Sequence, residues 1–344
     1  MTYRVGLIGA GMATGPHVQG LKDLGATIVC AFSRSAARRE ASAAQHGVPV
    51  TGDIDAIVAN PQIDVAGILT PPASHLELVQ RAAAAGKHIL LEKPLDITTV
   101  RSEELVRTVE QAGVTAAVML QHRFKPSAVR LRQVLADKSL GEIVGVSTRV
   151  PLWRPQSYYD VEGRGTRARD GGGVLISQAI HTIDLMRSLL APVAGGVARV
   201  CGFAREGAAH RMETEDLAAA SLRFDNGAIG TIDASTASYP GSLERIEIIG
   251  TRGTASLAGT GLTLRWQDGR EEDLQPDGTP GGTGANPMAF SHEFHRAVWQ
   301  DLFEAIDHKR APRVTPRDAL QTHYLIDAIL QSAARDGAPV DVKR

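Results

Sequence analysis

The chain has 344 residues, 43% of them hydrophobic and 22% charged, enough to bury the cores of two domains and stay soluble. Its 37 basic and 38 acidic side chains leave a formal charge of −1, which gives no general electrostatic case for nucleic acid or an anionic membrane as partner. Two cysteines, Cys30 and Cys201, exclude a disulfide framework and a four-ligand zinc site of their own, and no apolar run reaches the roughly 20 residues of a membrane span. The expectation is a cytoplasmic protein without metal, working on a small molecule.

The first 120 residues alternate short apolar strands with helices. Val5–Ile8 is followed by a helix at Met12–Leu24, Thr27–Phe32 by one at Ser35–His46, and Val65–Leu69 by one at His75–Ala85. His88–Leu91, a helix near Val100–Ala112 and a strand at Thr115–Leu120 complete the series. Such alternation calls for a parallel, doubly wound sheet covered on both faces. Beyond about residue 125 the rhythm changes. A helix at Val129–Leu135, an extended run at Glu142–Pro151 and a longer helix at Gly173–Leu190 precede strands at Val197–Arg205, Leu217–Phe224, Ala228–Ala237, Ser242–Ile249 and Thr254–Ala258. The turn Asp225-Asn226-Gly227 is a hairpin signal, so the second domain, 123–344, is expected to be α+β with an open, mainly antiparallel sheet. Its uncovered face calls for a homodimer or homotetramer. A glycine-rich stretch, Gly278–Gly284, leads to closing helices at Phe290–Ile306 and Pro316–Ala334.

Gly9-Ala10-Gly11-Met12-Ala13-Thr14 lies directly after the first strand and opens the first helix, the setting of a dinucleotide fingerprint. Gly9 permits the turn, Gly11 lets backbone approach a pyrophosphate, and Met12 and Ala13 carry the helix N-terminus; Thr14 stands where glycine or alanine is usual. The second strand ends in Ser33-Arg34, with Arg38 a turn later, and no acid occurs between Asp23 and Glu40. An acid there would hold the ribose of NAD and repel a 2′-phosphate, so NADP(H) is the expected cofactor, with NAD(H) as the alternative. Thr70, Pro71, Pro72 and His75 follow the third long strand at its carboxyl end, where open sheets place ligands, with a satisfied structural histidine the equal alternative for His75, and Glu92-Lys93-Pro94 follow the next. Lys93 is placed to donate to a substrate hydroxyl or relay a proton; the bland reading is a surface Glu–Lys pair. Gly171-Gly172-Gly173 precede Ser177, His181 and Asp184, spaced i, i+4 and i+7 on one helical face. That face reads as a cleft wall, or as a core histidine tied to Asp184.

The ordered set of Gly9–Thr14 with His17, Thr70–His75, Gly86-Lys87-His88 leading into Glu92-Lys93-Pro94, Arg123-Phe124-Lys125-Pro126 and the triple glycine before His181 resembles the Gfo/Idh/MocA family over nearly the whole chain. The resemblance implies an N-terminal Rossmann domain, an open C-terminal sheet, and hydride transfer between a nicotinamide and a secondary alcohol or ketone of a sugar, polyol or related cyclic compound. It implies roles at the reacting oxygen for Lys93 and, as general acid or base, for His181. An aspartate four residues before that histidine often assists it; here the position is Ser177, which leaves Lys93 or Asp184 to support His181. Substrate contacts are expected from Arg123, Trp153, Tyr159, Arg164, Ser177, Gln178 and Asp184. The arginines Arg154, Arg164, Arg167 and Arg169 hint at an anionic substrate, with solvated loop arginines the equal alternative. Gly163 departs from a Trp-Arg pair common in such relatives and suggests a wider pocket. Other activities on this framework are an NAD-dependent glycoside hydrolase and a non-catalytic nucleotide sensor.

Overall fold

Short buried strands punctuated by capped helices build the first part of the chain. The computed structural model describes residues 2–275 and 291–344; the glycine-rich Gly278–Gly284 and the expected helix start at Phe290 lie outside them. In chain order the elements are β1 (Arg4–Ile8), α1 (Thr14–Asp23), β2 (Thr27–Phe32), α2 (Ala36–His46), β3 (Val50–Thr51), α3 (Asp55–Val58), β4 (Val65–Ile68), α4 (His75–Ala84), β5 (His88–Leu91), α5 (Thr99–Ala112) and β6 (Ala116–Val118). Ser35 and Thr98 accept backbone N–H groups at the starts of α2 and α5. Gly47 and Gly113, at φ 64° and 67°, end the same helices in the left-handed conformation that glycine adopts without strain. The six strands pair in the order β3-β2-β1-β4-β5-β6, every pair parallel, so a doubly wound sheet forms and the strand order reverses at β1. β4 along its length and β5 from Ile89 to Leu91 are apolar and buried, as expected of strands covered on both faces.

The chain continues with α6 (Pro126–Ala136), β7 (Ile143–Pro151), α7 (Gln156–Tyr159), α8 (Arg167–Asp170), a π turn at Leu175–Ala179, α9 (Ile180–Ala194), β8 (Val197–Glu206), β9 (Glu215–Phe224), β10 (Ile229–Ser235), β11 (Arg245–Gly250), β12 (Gly253–Ala258), β13 (Gly261–Trp266) and β14 (Glu271–Leu274). It closes with α10 (Glu293–Asp307), α11 (Pro316–Ala333) and β15 (Val340–Asp341). Nine strands pair in the order β14-β13-β12-β11-β7-β10-β9-β8-β15. Only β7 and β10 run parallel, so the sheet is mixed and mainly antiparallel. The Asp225-Asn226-Gly227 turn joins β9 to β10, with Gly227 at φ 90°. Side chains of β11, and of β9 from Asp216 onward, alternate between buried and exposed. α6 and α9 cover one face, and Ser332 of α11 accepts the Gly202 N–H of β8 at 2.9 Å. Among the described residues the other face is uncovered and carries Phe203, Ile229 and Ile249, 61%, 68% and 51% exposed.

The residues divide into two compact units, one running to Gln121 and taking in His292–Leu320, the other formed by His122–Ser291 with Gln321–Arg344. The segment 292–320 therefore departs from the expected undivided second domain at 123–344. α10 packs on α1 of the first unit, where Gly20 leaves room for the Arg296 backbone, and its Trp299 is fully buried against Gly67 of β4. An amphipathic pattern predicts that a helix will be half-buried but not which sheet will receive it.

Candidate active site

At the carboxyl ends of β1 and β4, Gly9 stands at φ 126°, and a Cβ there would sit 2.9 Å from the Leu69 carbonyl. No larger residue fits this crossing. Around Gly11, by contrast, no described residue lies within 4 Å of where a Cβ would be, and none caps the start of α1 with its side chain. Backbone N–H groups next to open space suit a phosphate. Thr14 explains its own departure from the fingerprint: it is buried and turns its hydroxyl back onto the Gly9 carbonyl at 3.4 Å. Met12 is exposed beside it. At the end of β2, Ser33 is buried, while Arg34 and Arg38 are exposed and their guanidinium groups have no hydrogen-bond or ion-pair partner among the described residues. Arg39 instead donates to the carbonyls of Ser33 and Arg34 and braces the turn.

Thr70 to Ser74 form a turn closed by the Ser74 hydroxyl, which donates to Thr70 Oγ1 at 2.8 Å. His75, expected either at the cofactor or as a satisfied structural histidine, is fully buried. Its Nε2 lies 2.8 Å from the Thr70 carbonyl and its Nδ1 3.0 Å from that of Pro94, so it ties the β4 loop to the β5 loop. Burial pushes its pKa below the ordinary histidine value. It is a brace. Glu92 follows β5; its Oε1 is 2.9 Å from His17 Nε2, and its Oε2 accepts the Lys93 N–H at 3.1 Å. Trp299 donates its indole N–H to His17 Nδ1 at 3.1 Å. Indole nitrogen can only donate, so His17 Nδ1 bears no proton and Nε2–H donates to Glu92. Burial pushes the Glu92 carboxyl up, but the His17 hydrogen bond and the charge of Lys93 outweigh it and hold the group below the usual carboxylate range. Burial above all lowers His295 to about 3.

His17, Glu92 and His295 bring ligand-type atoms within 4.8 Å of one another, as a cation site would. Ligation through His17 Nε2 would move the proton to Nδ1 and set it against the Trp299 N–H. The donor set fits a hydrogen-bonded pair, not a metal.

In the second unit, Gly173 is forced by its neighbours: a Cβ would fall 1.8 Å from the Glu215 carbonyl oxygen. The Glu215 carboxylate accepts the Gly173 and Leu175 N–H groups at 2.9 and 3.1 Å and so opens the helical segment. Burial raises its pKa. Leu175–Ala179 then take a π turn, and the spacing that predicts Ser177 beneath His181 does not carry across that wider turn. Ser177 donates to the Gly173 carbonyl at 2.5 Å.

Two expected substrate residues are removed from that role. Arg123 donates Nε and Nη2 to the two Asp184 oxygens at 2.6 and 2.5 Å, both side chains being almost fully buried. Thr322 donates to the same carboxylate at 2.8 Å. Asp184 is thus saturated and does not support His181; the i+7 spacing misleads because Arg123, 61 residues earlier, claims the carboxylate. Tyr159 is buried, donates to Thr236 Oγ1 at 2.9 Å and is raised to about 12 by burial. Gln178 is buried against its hydroxyl, and Trp153 packs edge-on to Tyr239. Arg164 stacks 4.1 Å over Tyr158 and donates to its carbonyl, Arg154 is buried on the Trp153 carbonyl, Arg167 pairs with Glu206, and Arg169 donates to Glu162. All four arginines have partners within the chain.

His181 is partly exposed in the first turn of α9. Two residues that the sequence reading overlooks lie beside it. The His122 ring stands 5.0 Å from the His181 ring, centroid to centroid, at 35°. Glu244 Oε2 lies 3.6 Å from His122 Nδ1 and accepts the Thr182 hydroxyl. His122 adjoins the Arg123–Pro126 segment and could have been suspected there; Glu244 has no local signal at all.

With this geometry in view, two family descriptions match the chain: "Oxidoreductase family, NAD-binding Rossmann fold" over residues 3–120, and "GFO/IDH/MocA C-terminal domain" over 128–256. Inositol 2-dehydrogenase of Rhizobium meliloti is 29% identical, with 74% of this chain and 76% of that protein aligned. D-apiose dehydrogenase of Paraburkholderia graminis is 28% identical over 99% of this chain and 90% of its own length. The crystal structure of the WlbA dehydrogenase from Bordetella pertussis, in complex with NADH and UDP-GlcNAcA, superposes with a TM-score of 0.84 at 26% identity over 100% of both chains. From the glycine loop, the sheet order and these matches together, the chain belongs to the GFO/IDH/MocA family of NAD-binding oxidoreductases.

Proposed function

We propose that the protein is a dehydrogenase acting on a secondary alcohol, or the matching ketone, of a sugar, polyol or related cyclic compound, with NADP(H) preferred over NAD(H). The observation that carries the reading is Glu92-Lys93-Pro94 at the carboxyl end of β5, in the same sheet as the glycine loop after β1, in a chain whose relatives include inositol and apiose dehydrogenases. Gly9, Gly11, Met12 and Ala13 would receive the pyrophosphate, Thr70 to Pro72 and Glu92 would flank the bound cofactor, and Ser33, Arg34 and Arg38 the adenosine ribose. The exposed, unpartnered Arg34 and Arg38 support a 2′-phosphate there. When bound, the nicotinamide supplies the hydride acceptor. Lys93 holds the substrate oxygen, and His181 accepts the hydroxyl proton as the carbonyl forms. Because the four arginines at 154–169 are engaged within the chain, their density lends no weight to an anionic substrate.

The exposed Phe203, Ile229 and Ile249 on the open sheet face support a homodimer or homotetramer through that face. Both cysteines are free, which fits the reducing cytoplasm we assign to it. A panel of sugars, inositols and cyclic diols, followed by nicotinamide absorbance with each cofactor, tests the reading. Net reduction of cofactor by members of this panel is expected. Glycoside cleavage without net reduction, or tight cofactor binding with no turnover on any member, would replace it with the hydrolase or the sensor.

A further inference from the structure

Ser177 gives His181 no negative charge, and Asp184, the nearest carboxylate along the helix, is locked to Arg123. We propose that Glu244 and His122 supply what is missing: Glu244 is the carboxylate that balances the charge His181 acquires with a proton, and His122 is the ring through which it acts. The proposal rests on reading His181 as the proton acceptor in alcohol oxidation, and it makes His122 and Glu244 positioning residues.

Three elements of one unit meet here: the turn at Gln121–Phe124 brings His122, α9 brings His181 and Thr182, and the segment before β11 brings Glu244. The Thr182 hydroxyl pins the Glu244 carboxylate one residue from His181 along the chain, with Oε2 3.6 Å from His122 Nδ1. With Nδ1–H directed at Glu244, a neutral His122 keeps Nε2 as an acceptor. The two rings are 5.0 Å apart, close enough that a charge on one opposes a charge on the other. The pair therefore takes up one proton readily and a second only with difficulty, and the carboxylate favours the first uptake. Side-chain exposures of 16% for His122 and 21% for Glu244 leave the group able to exchange protons with water, unlike Asp184 at 0%. The other charged groups of this unit nearby are accounted for: Arg123 is paired with Asp184, Lys125 donates to the Gly259 carbonyl, and Arg154 acts on Glu244 electrostatically from its buried position.

The test follows the histidine ring signals of the full-length, histidine-labelled protein by NMR as pH is varied, with His181→Ala and His122→Asn used for assignment. In wild type the two rings should report one shared uptake step. Glu244→Gln should move that step to lower pH by about tenfold in proton concentration, the scale of losing an opposite charge at this range. Glu244→Asp, which keeps the charge, should stay close to wild type. In a His122→Asn background, Glu244→Gln should no longer move the His181 signal. Rings that titrate independently, or a His181 signal unmoved by Glu244→Gln, overturn the proposal; a shift that persists without His122 overturns the route through that ring. The acid limb of kcat/KM for alcohol oxidation, measured on a substrate from the panel above, should move with the NMR step. If that limb survives His181→Ala, the assignment of His181 as proton acceptor falls instead, whatever the NMR titration shows.

Discussion

Each unit contains a histidine beside a glutamate, and the two pairs are built to different ends. His17 and Glu92 are sealed: Trp299 fixes the tautomer of the imidazole, the imidazole holds one carboxylate oxygen, and the other oxygen holds the Lys93 backbone. The His17 imidazole is fully buried, and the Glu92 carboxylate, 12% exposed, has both oxygens engaged. His122 and Glu244 are partly open, 3.6 Å apart, and in ring contact with a third titratable group. The contrast teaches that closure, more than residue type, decides whether such a pair serves as a brace or as a carrier of charge. Arg123 and Asp184 mark the closed extreme, bidentate and almost fully buried.

The largest effect is expected at that extreme. Asp184→Ala leaves the Arg123 guanidinium buried without its partner, and stability should fall by about 3–5 kcal/mol in denaturant unfolding. A loss below about 1 kcal/mol would show that the pair is more exposed to solvent than the contrast requires. Next comes Lys93→Ala, which should lower kcat by about 10²-fold while cofactor titration stays near wild type. Unchanged turnover would make Lys93 an ordinary loop residue and leave the sealed pair with nothing to position.

Breaking the brace itself should have a smaller consequence. Trp299→Phe keeps the ring but removes the N–H to His17, with an expected loss of about 1–2 kcal/mol and a drop in kcat larger than any change in KM. The neighbouring His295 gives the pH signature of this sealed region. Its folded pKa, lowered to about 3 by burial, lies below its ordinary value of 6.5, so the unfolded chain takes the proton first. Stability from this group is full above 6.5 and is lost as pH falls from there toward about 3. His295→Leu should flatten that slope in unfolding experiments between those limits; an unchanged slope would mean that the imidazole is not closed off. The smallest effect is expected at the carboxyl end of β2: Arg34→Ala should weaken NADP(H) binding by about tenfold and leave NAD(H) binding unchanged, the scale of one charge-assisted hydrogen bond. A preference for NAD(H) that is indifferent to this change would remove the 2′-phosphate reading.

How much of this was legible before folding differs between the units. The strand–loop–helix segments of the first are local, so Gly9, Gly11, Thr70 and Glu92-Lys93-Pro94 could be read in place from short windows. What was missed there came from a distance, since Trp299 and His295 return from the far end of the chain. In the second unit the decisive pairings span long intervals: Arg123 reaches Asp184 across 61 residues and Thr182 reaches Glu244 across 62. Helical spacing offered Asp184 and Ser177 as neighbours of His181, but the π turn and the competing arginine overrode it. The open sheet was legible because successive strand-like runs without helices between them and the Asn226-Gly227 turn are again local signals.

The central claim, net hydride transfer from a carbinol carbon, is tested most directly by isotope. A substrate found with the panel is deuterated at the reacting carbon and turned over with oxidised cofactor, and the released nicotinamide is weighed by mass spectrometry. The account predicts one deuterium carried on the reduced nicotinamide for each ketone formed. Deuterium retained in the sugar product, with no reduced cofactor released, would contradict it.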